Sequence, residues 1–394
     1  MPGPTAQVTG NTLAPLAQSP VAERVAPPVI AEPGQIVIYW PTAGDADAAL
    51  ARLLQVYKLS PTSTTKLQHL GGVIAVYQLP SPIAASDMRE QLRKDFPSAV
   101  IDFNSRYRPL LQPVPQPRIY LPQKIDLPRQ GGTGQHGASG IRIGIVDGPV
   151  ARAAALTSVK VMRKSFIAES DVAAGASHAT TIATLISGQD PGTGFVGIAP
   201  QAVLYSAEIM RTVGSDDVTN SAALVQALDW LLGEKVQLIN LSLGGPSDQV
   251  MEKAFNRLAT LSVVVVAAAG NGGPGAPPAY PAAYTGVIAV TATDAADKLY
   301  THANRGSYVT LAAPGVDIWV PDGDGGRYVS GTSFSAAVVT AAGALLMAQS
   351  PQHHARTMAQ RLCRGAKDLG TPGVDRDFGC GLLQISASLQ DDRS

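Results

Sequence analysis

From residue 141 onward the chain repeats one pattern: a short, almost purely apolar run, a turn, then a segment with helical periodicity. The apolar runs fall at 141–146, 203–209, 236–243, 262–269, 287–293 and 309–312. Helical segments fall at 178–187, 221–232, 249–260 and 334–348. A strand that is apolar on both faces cannot border water on either, so it needs cover above and below. Helical connections between such strands supply that cover, and they force the strands parallel. The pattern therefore predicts an α/β domain over 137–390, doubly wound around a mostly parallel sheet. In such sheets ligands meet the chain beyond the carboxyl ends of the strands, and polar residues there carry the most information.

The region ahead of that domain is organised differently. Residues 1–34, rich in Pro and Ala without apolar periodicity, are expected to form a disordered leader. Residues 35–107 read as a small α+β unit: a strand at 35–40 and a helix at 45–59 with Ala49, Leu53, Leu54 and Tyr57 on one face. A hairpin follows from 66–70 to 73–79 around Gly71-Gly72, then a helix at 86–96 bearing Met88, Leu92 and Phe96, and a strand at 99–104. That order predicts a ferredoxin-like arrangement. The Pro- and Gly-dense stretch 108–136 is expected to be an extended connector.

Thirty Lys and Arg balance thirty Asp and Glu, so there is no electrostatic case for a nucleic-acid partner. The longest apolar runs are too short to span a bilayer, and the longer 337–348 carries Thr and Gly and fits a buried helix. Met1-Pro2-Gly3-Pro4 lacks the basic and apolar regions of a signal peptide, leaving a cytoplasmic protein or one whose export signal lies outside this sequence. Two cysteines, Cys363 and Cys380, leave a bridge and a pair of buried thiols both open. Without a His at ligand spacing they make no zinc site.

Four polar positions sit at ends of the predicted elements. Asp147 follows the apolar run 141–146. His178 opens a helix, with Ser177 as the expected cap and Ile182 and Leu185 on its own face. Asn271 ends 262–270, where its amide can donate to a developing oxyanion, although an Asn-Gly turn alone would also place it there. Ser333, in Gly331-Thr332-Ser333-Phe334-Ser335-Ala336-Ala337, starts the longest helix, where orphan backbone N–H groups and the dipole favour an anion. A serine hydroxyl needs a base and an oxyanion site to act as a nucleophile. The glycines of Ser242-Leu243-Gly244-Gly245 leave a strand edge on which an extended peptide can pair through its backbone.

The order Asp147, His178, Ser333 is that of the subtilisins. Together with Gly197-Ile198-Ala199-Pro200, Ala268-Ala269-Gly270-Asn271, Tyr280-Pro281-Ala282 and Ala312-Ala313-Pro314-Gly315, these blocks make residues 137–388 resemble the subtilisin-like serine peptidases, or subtilases. The resemblance implies an endopeptidase acting on extended polypeptides through an acyl-enzyme. Ser333 would be the nucleophile, His178 the base and Asp147 its orienting acid. Asn271 and the Ser333 N–H would form the oxyanion hole, with Ser242, Leu243, Gly244, Ala268, Ala269 and Gly270 as the walls of the substrate channel. An apolar or aromatic residue is then expected before the scissile bond. The unit at 35–107 resembles a subtilase propeptide, implying a monomeric zymogen, secreted or periplasmic, that is inhibited by its own N-terminal domain. The alternative is a catalytically silent subtilase that binds peptides. It draws on three departures from the family pattern: Ala179 in place of Gly, Ala337 in place of Pro, and Asp147-Gly148-Pro149. Many subtilases bind calcium, but here 189–194 lacks a long Asn-rich loop and 322–326 lacks a downstream Glu, so no clear calcium site is expected.

Overall fold

Four antiparallel strands and two helices form the N-terminal module in the computed structural model, which describes residues 31–109, 120–128, 137–323, 325–350 and 355–390. They run β1 (Ala31–Trp40), α1 (Ala43–Tyr57), β2 (Pro61–Lys66), β3 (Val73–Gln78), α2 (Ala85–Asp95) and β4 (Val100–Pro109). Thr42 caps α1 by accepting from the Asp45 N–H at 3.2 Å, and Ala46, Ala49 and Leu53 turn inward against Ile36, Ile38 and Trp40. Three expectations need correction. Residues 31–34 are strand rather than leader, because Ala31 pairs with Ser105 across β4. The hairpin's first strand is 61–66 and not 66–70, because Leu67 closes the turn by bonding Gly72 and Gly71 at 3.0 Å each. Within the expected connector, β4 continues to Pro109 and α3 (Leu121–Lys124) is helical, with Pro122 in its first turn where proline is tolerated. The remainder of the expected leader, and 110–119 and 129–136 of the connector, lie outside the described residues.

The parallel sheet is assembled from β5 (Arg142–Asp147), β6 (Val161–Ser165), β9 (Val203–Glu208), β12 (Leu238–Leu241), β14 (Val264–Ala268), β15 (Val287–Thr293) and β16 (Val309–Pro314). The intervening β7 (Gln189–Asp190) and β8 (Phe195–Val196) pair only with each other. β10 (Arg211–Val213), β11 (Asp216–Asn220) and β13 (Leu243–Gly244) stand at the sheet's carboxyl edge, and β17 (Ile318–Asp322) and β18 (Gly325–Val329) form a hairpin. Strand order is β16-β15-β14-β12-β5-β9-β6, with every neighbouring pair parallel. Helices α4 (Ser177–Ser187), α5 (Ser221–Gly233), α6 (Gln249–Leu258), α7 (Thr332–Gln349), α8 (Ala355–Gly365) and α9 (Ile385–Leu389) complete the fold. Two apolar clusters divide the sheet: α4 and α7 pack with Ile143, Ile145 and Val264, while α5 and α6 pack with Val146, Ile239 and Val265. This is the two-sided cover that the apolar strands require.

Helix α7 is long and apolar enough to cross a membrane, yet 89% of it is buried in the core. Cys363 and Cys380 form a disulfide that ties α8 to the segment before Gly381, with Cα atoms 5.5 Å apart. Of the two possibilities the sequence leaves open, the bridge is the one that forms.

The N-terminal module docks on the outer face of α5 and α6. Asp229 of α5 accepts the Gln68, His69 and Leu70 backbone N–H groups at 3.2, 2.6 and 2.8 Å. In the other direction Asp102, held by Arg89 and Arg93 at 2.9 and 3.1 Å, accepts the Gln249 N–H at the start of α6 at 3.2 Å. Glu32 bridges Arg106, 3.0 Å away, and Arg211 of β10. β4 then extends its own sheet by pairing antiparallel with β11 and β13, at the carboxyl edge of the parallel sheet.

Candidate active site

Asp147 ends β5 and His178 lies in the first turn of α4, both almost fully buried. The His178 Nδ1 sits 2.9 and 2.8 Å from the two Asp147 carboxylate oxygens, and the Gly148 N–H donates to Oδ1 at 2.6 Å. This fixes the ring and directs proton exchange to Nε2, which is buried and finds no hydrogen-bond partner among the described residues. The ring also packs on Phe334, centroid to centroid 5.8 Å, and Phe334 directly follows Ser333. The imidazole is thus held beside the start of α7 by both a carboxylate and an aromatic face.

Ser177 is not the cap of α4. The cap position is Ala176 without a side-chain bond, and the Ser177 hydroxyl instead receives Arg327 at 2.8 Å. Arg327 also contacts Thr181 and pairs with Asp322 at 2.9 Å, so the β17–β18 hairpin clasps the His178 helix. No short-range signal in the sequence announces that contact.

Ser333 occupies the first turn of α7, whose cap is Gly331 at φ 152°, a conformation open to glycine and strained for other residues. The Ser333 hydroxyl donates to the Ser242 carbonyl at 3.4 Å, and the Ser242 hydroxyl donates back to the Ser333 carbonyl at 3.1 Å. Behind them, Asn240 Nδ2 reaches the Ser242 hydroxyl at 2.9 Å and Thr340 donates to Asn240 Oδ1 at 3.0 Å. Sequence reasoning missed Asn240 and Thr340, although a lone amide inside the apolar strand Leu238-Ile239-Asn240-Leu241 is a readable anomaly.

Asn271 follows β14. Its Oδ1 accepts the Thr332 N–H at 3.1 Å and the Thr332 hydroxyl at 2.9 Å, so the amide orientation is set by the residue preceding Ser333. Its Nδ2 is buried without a partner, a donor aimed at nothing the described residues supply. Ala268 and Ala269 are fully buried, the Ala269 carbonyl accepts the Tyr308 hydroxyl at 2.6 Å, and Gly270 leaves room for Asn304, which a Cβ would meet at 2.5 Å. Leu243 and Gly244 pair with Pro109 and Arg108 of β4.

Two of the three departures from the family pattern lie within packed helices: Ala179 is fully buried in the core with Ile182, and Ala337 sits within an unbroken α7. In the two loops weighed for calcium, the described carboxylates are engaged within the chain. Asp190 closes its own turn on Gly192 N–H and Thr193 Oγ1, at 3.3 and 2.5 Å, and Asp322 is engaged by Arg327. Among the described residues no group of three potential metal-binding side chains converges.

A parallel sheet that carries at its carboxyl edge a carboxylate-held imidazole, a helix-start serine and an amide whose Nδ2 has no partner among the described residues defines a subtilisin-type α/β fold. Residues 138–381 match the model of the subtilase family, Peptidase_S8, and the chain belongs to that family. Subtilisin DY of Bacillus licheniformis is 32% identical over 265 residues, spanning 65% of this chain and 93% of that protein. The minor extracellular protease Epr of Bacillus subtilis is 35% identical over 217 residues, 54% of this chain but only 33% of Epr. Fervidolysin from Fervidobacterium pennivorans superposes with a TM-score of 0.76 over 92% of this chain and 62% of its own. At 21% identity that likeness is one of fold.

Proposed function

We propose that this protein is a serine endopeptidase that hydrolyses extended polypeptides through an acyl-enzyme on Ser333. The observation that carries this reading is a pair of buried polar atoms that find no partner among the described residues and are held against the neighbours of Ser333: His178 Nε2, a proton acceptor whose ring packs on Phe334, and Asn271 Nδ2, a donor whose amide is oriented by Thr332. A buried polar group without a partner costs free energy, and here both are of the type the chemistry uses. Ser333 Oγ attacks the carbonyl while Nε2 takes its proton, and Asp147 holds the tautomer and stabilises the imidazolium. Asn271 Nδ2 and the Ser333 N–H receive the oxyanion. His178 then protonates the leaving amine, and water repeats the sequence to release the acid. The substrate strand pairs with Leu243 and Gly244, with Ala268–Gly270 walling the side chain next to the bond.

The N-terminal module, 35–107 with its flanking strand residues, serves in this reading as the domain that assists folding and inhibits until cleaved. Its last strand pairs with β13, where a substrate would lie. Export is supported by the Cys363–Cys380 bridge, which persists in oxidising compartments, and by the extracellular relatives. The test is a fluorophosphonate probe, with mass spectrometry of the wild-type and Ser333→Ala chains. The wild type should label on Ser333 and lose its N-terminal module, whereas Ser333→Ala should do neither. An unlabelled wild type, intact like the variant, would sink the proposal.

A further inference from the structure

Tyr107 is one of the largest fully buried side chains in the molecule, although it belongs to an edge strand of the N-terminal module. It is buried in the catalytic domain, within the apolar cluster that contains Leu224, Leu243 and Met251. Gly245 forms one wall: a Cβ there would lie 2.6 Å from Tyr107 Cδ1. The floor is polar. The Tyr107 hydroxyl lies 3.4 Å from Asp248 Oδ2, and the same carboxylate oxygen accepts the Ser221 hydroxyl. Asp248 caps α6 through Oδ1, which accepts the Met251 N–H at 2.7 Å, and its own backbone N–H meets the Tyr284 hydroxyl at 3.0 Å. A purely apolar side chain would fill the walls and leave this floor with one donor fewer.

The residues that carry Tyr107 into the pocket pair with the catalytic domain through their backbones: Tyr107 opposite Thr219, Arg108 opposite Gly244 and Pro109 opposite Leu243. Backbone pairing accepts any sequence, so an extended peptide entering the channel can adopt the same register. A peptide in that register, extended by one residue, meets Ser242, whose carbonyl is 3.4 Å from the Ser333 hydroxyl. The pocket therefore reads a side chain three residues before the one presented to the nucleophile.

We propose that this pocket is a tyrosine-selective subsite, in which Asp248 reads the phenol hydroxyl of an extended peptide and Tyr107 is the chain's own occupant. The proposal rests on the peptidase reading for its substrate arm but not for its binding arm. Sites built to pair a hydroxyl reject the analogue that lacks it more strongly than apolar pockets discriminate by size. The single long contact here sets the expected preference of Tyr over Phe at about tenfold.

The binding arm uses the full chain with Ser333→Ala, so that catalysis plays no part. Adding Tyr107→Phe should speed amide exchange across 243–245 about tenfold, and the increment should vanish when Asp248→Ser is present in both chains. Serine caps helices as well as aspartate does but is too short to reach the phenol, so α6 keeps its start. In the substrate arm, the active enzyme is offered Tyr-Arg-Pro-Leu and Phe-Arg-Pro-Leu coumarin amides. The tyrosine peptide should show about tenfold higher kcat/KM. Equal protection by Phe and Tyr, or equal hydrolysis of the two peptides, overturns the subsite. If neither peptide is cleaved while the exchange difference persists, the peptidase reading fails and the phenol pocket stands.

Discussion

At the scale of single residues, the candidate site is marked by two atoms, His178 Nε2 and Asn271 Nδ2, without partners among the described residues. Asn271 is turned by Thr332 so that its donor stays open, which makes it the sharpest target for mutation. Asn271→Ala should lower kcat by about a hundred- to a thousandfold with little change in KM, a magnitude established on subtilisin. Steady-state kinetics on one peptide checks it, and a comparable rise in KM would instead make Asn271 a substrate-binding group. Gly245 tests the docking of the N-terminal module. Its Cβ would collide with Tyr107, so Gly245→Ala should loosen that module and speed proteolysis of residues 31–109 in the Ser333→Ala chain. Unchanged digestion kinetics would show that the ring moves aside. The element ends at which Asp147, His178, Asn271 and Ser333 stand are legible in sequence from periodicity, whereas the roles expected of them come from the resemblance to the subtilases. Thr340 and Arg327 are not assigned from sequence because their partners lie on distant elements, and Asn240, although it stands out in its apolar strand, meets Thr340 only in the folded chain.

At the scale of elements, pairing across long separations decides boundaries that local pattern misplaces. β1 begins at Ala31 because Ala31 meets Ser105 on β4, a contact invisible within 1–34. α7 runs unbroken from Thr332 to Gln349, and Ala337 permits that continuity. The α8 connection is the element with a covalent stake. The Cys363–Cys380 bridge closes a loop with a sequence separation of 17, and its removal should cost about 3 kcal/mol in the chain-entropy picture. Urea unfolding of a Cys363→Ser, Cys380→Ser double variant, made in the Ser333→Ala background, measures this. A change under about 1 kcal/mol would mean that α8 and α9 packing already confines the segment.

At the scale of the whole molecule, two bodies share one interface, and Asp248 is one of the buried carboxylates in it. Burial pushes Asp248 up from its ordinary 3.8 to about 6, the hydrogen bonds from Ser221 and Met251 only partly offsetting it, while neighbouring Asp102 adds to the rise. A group raised on folding binds its proton more tightly in the native state. Its stabilising contribution is full below the unfolded value and is lost as pH rises through the folded one. The Ser333→Ala chain should therefore lose stability from this group between about pH 4 and 6, whereas Asp248→Asn, which keeps the cap, should flatten that slope. Thermal melts across the range decide it, and parallel profiles for the two chains would exclude Asp248 as the source. Taken alone, the sequence determines the parallel α/β domain, the Asp147–His178–Ser333 order and the separate N-terminal unit, since periodicity and element-end chemistry are local properties. Tertiary structure alone decides that Cys363 reaches Cys380, that Tyr107 crosses from one body into the other, and that Asp248 meets its hydroxyl. Those outcomes depend on where distant segments come to rest once both cores are packed.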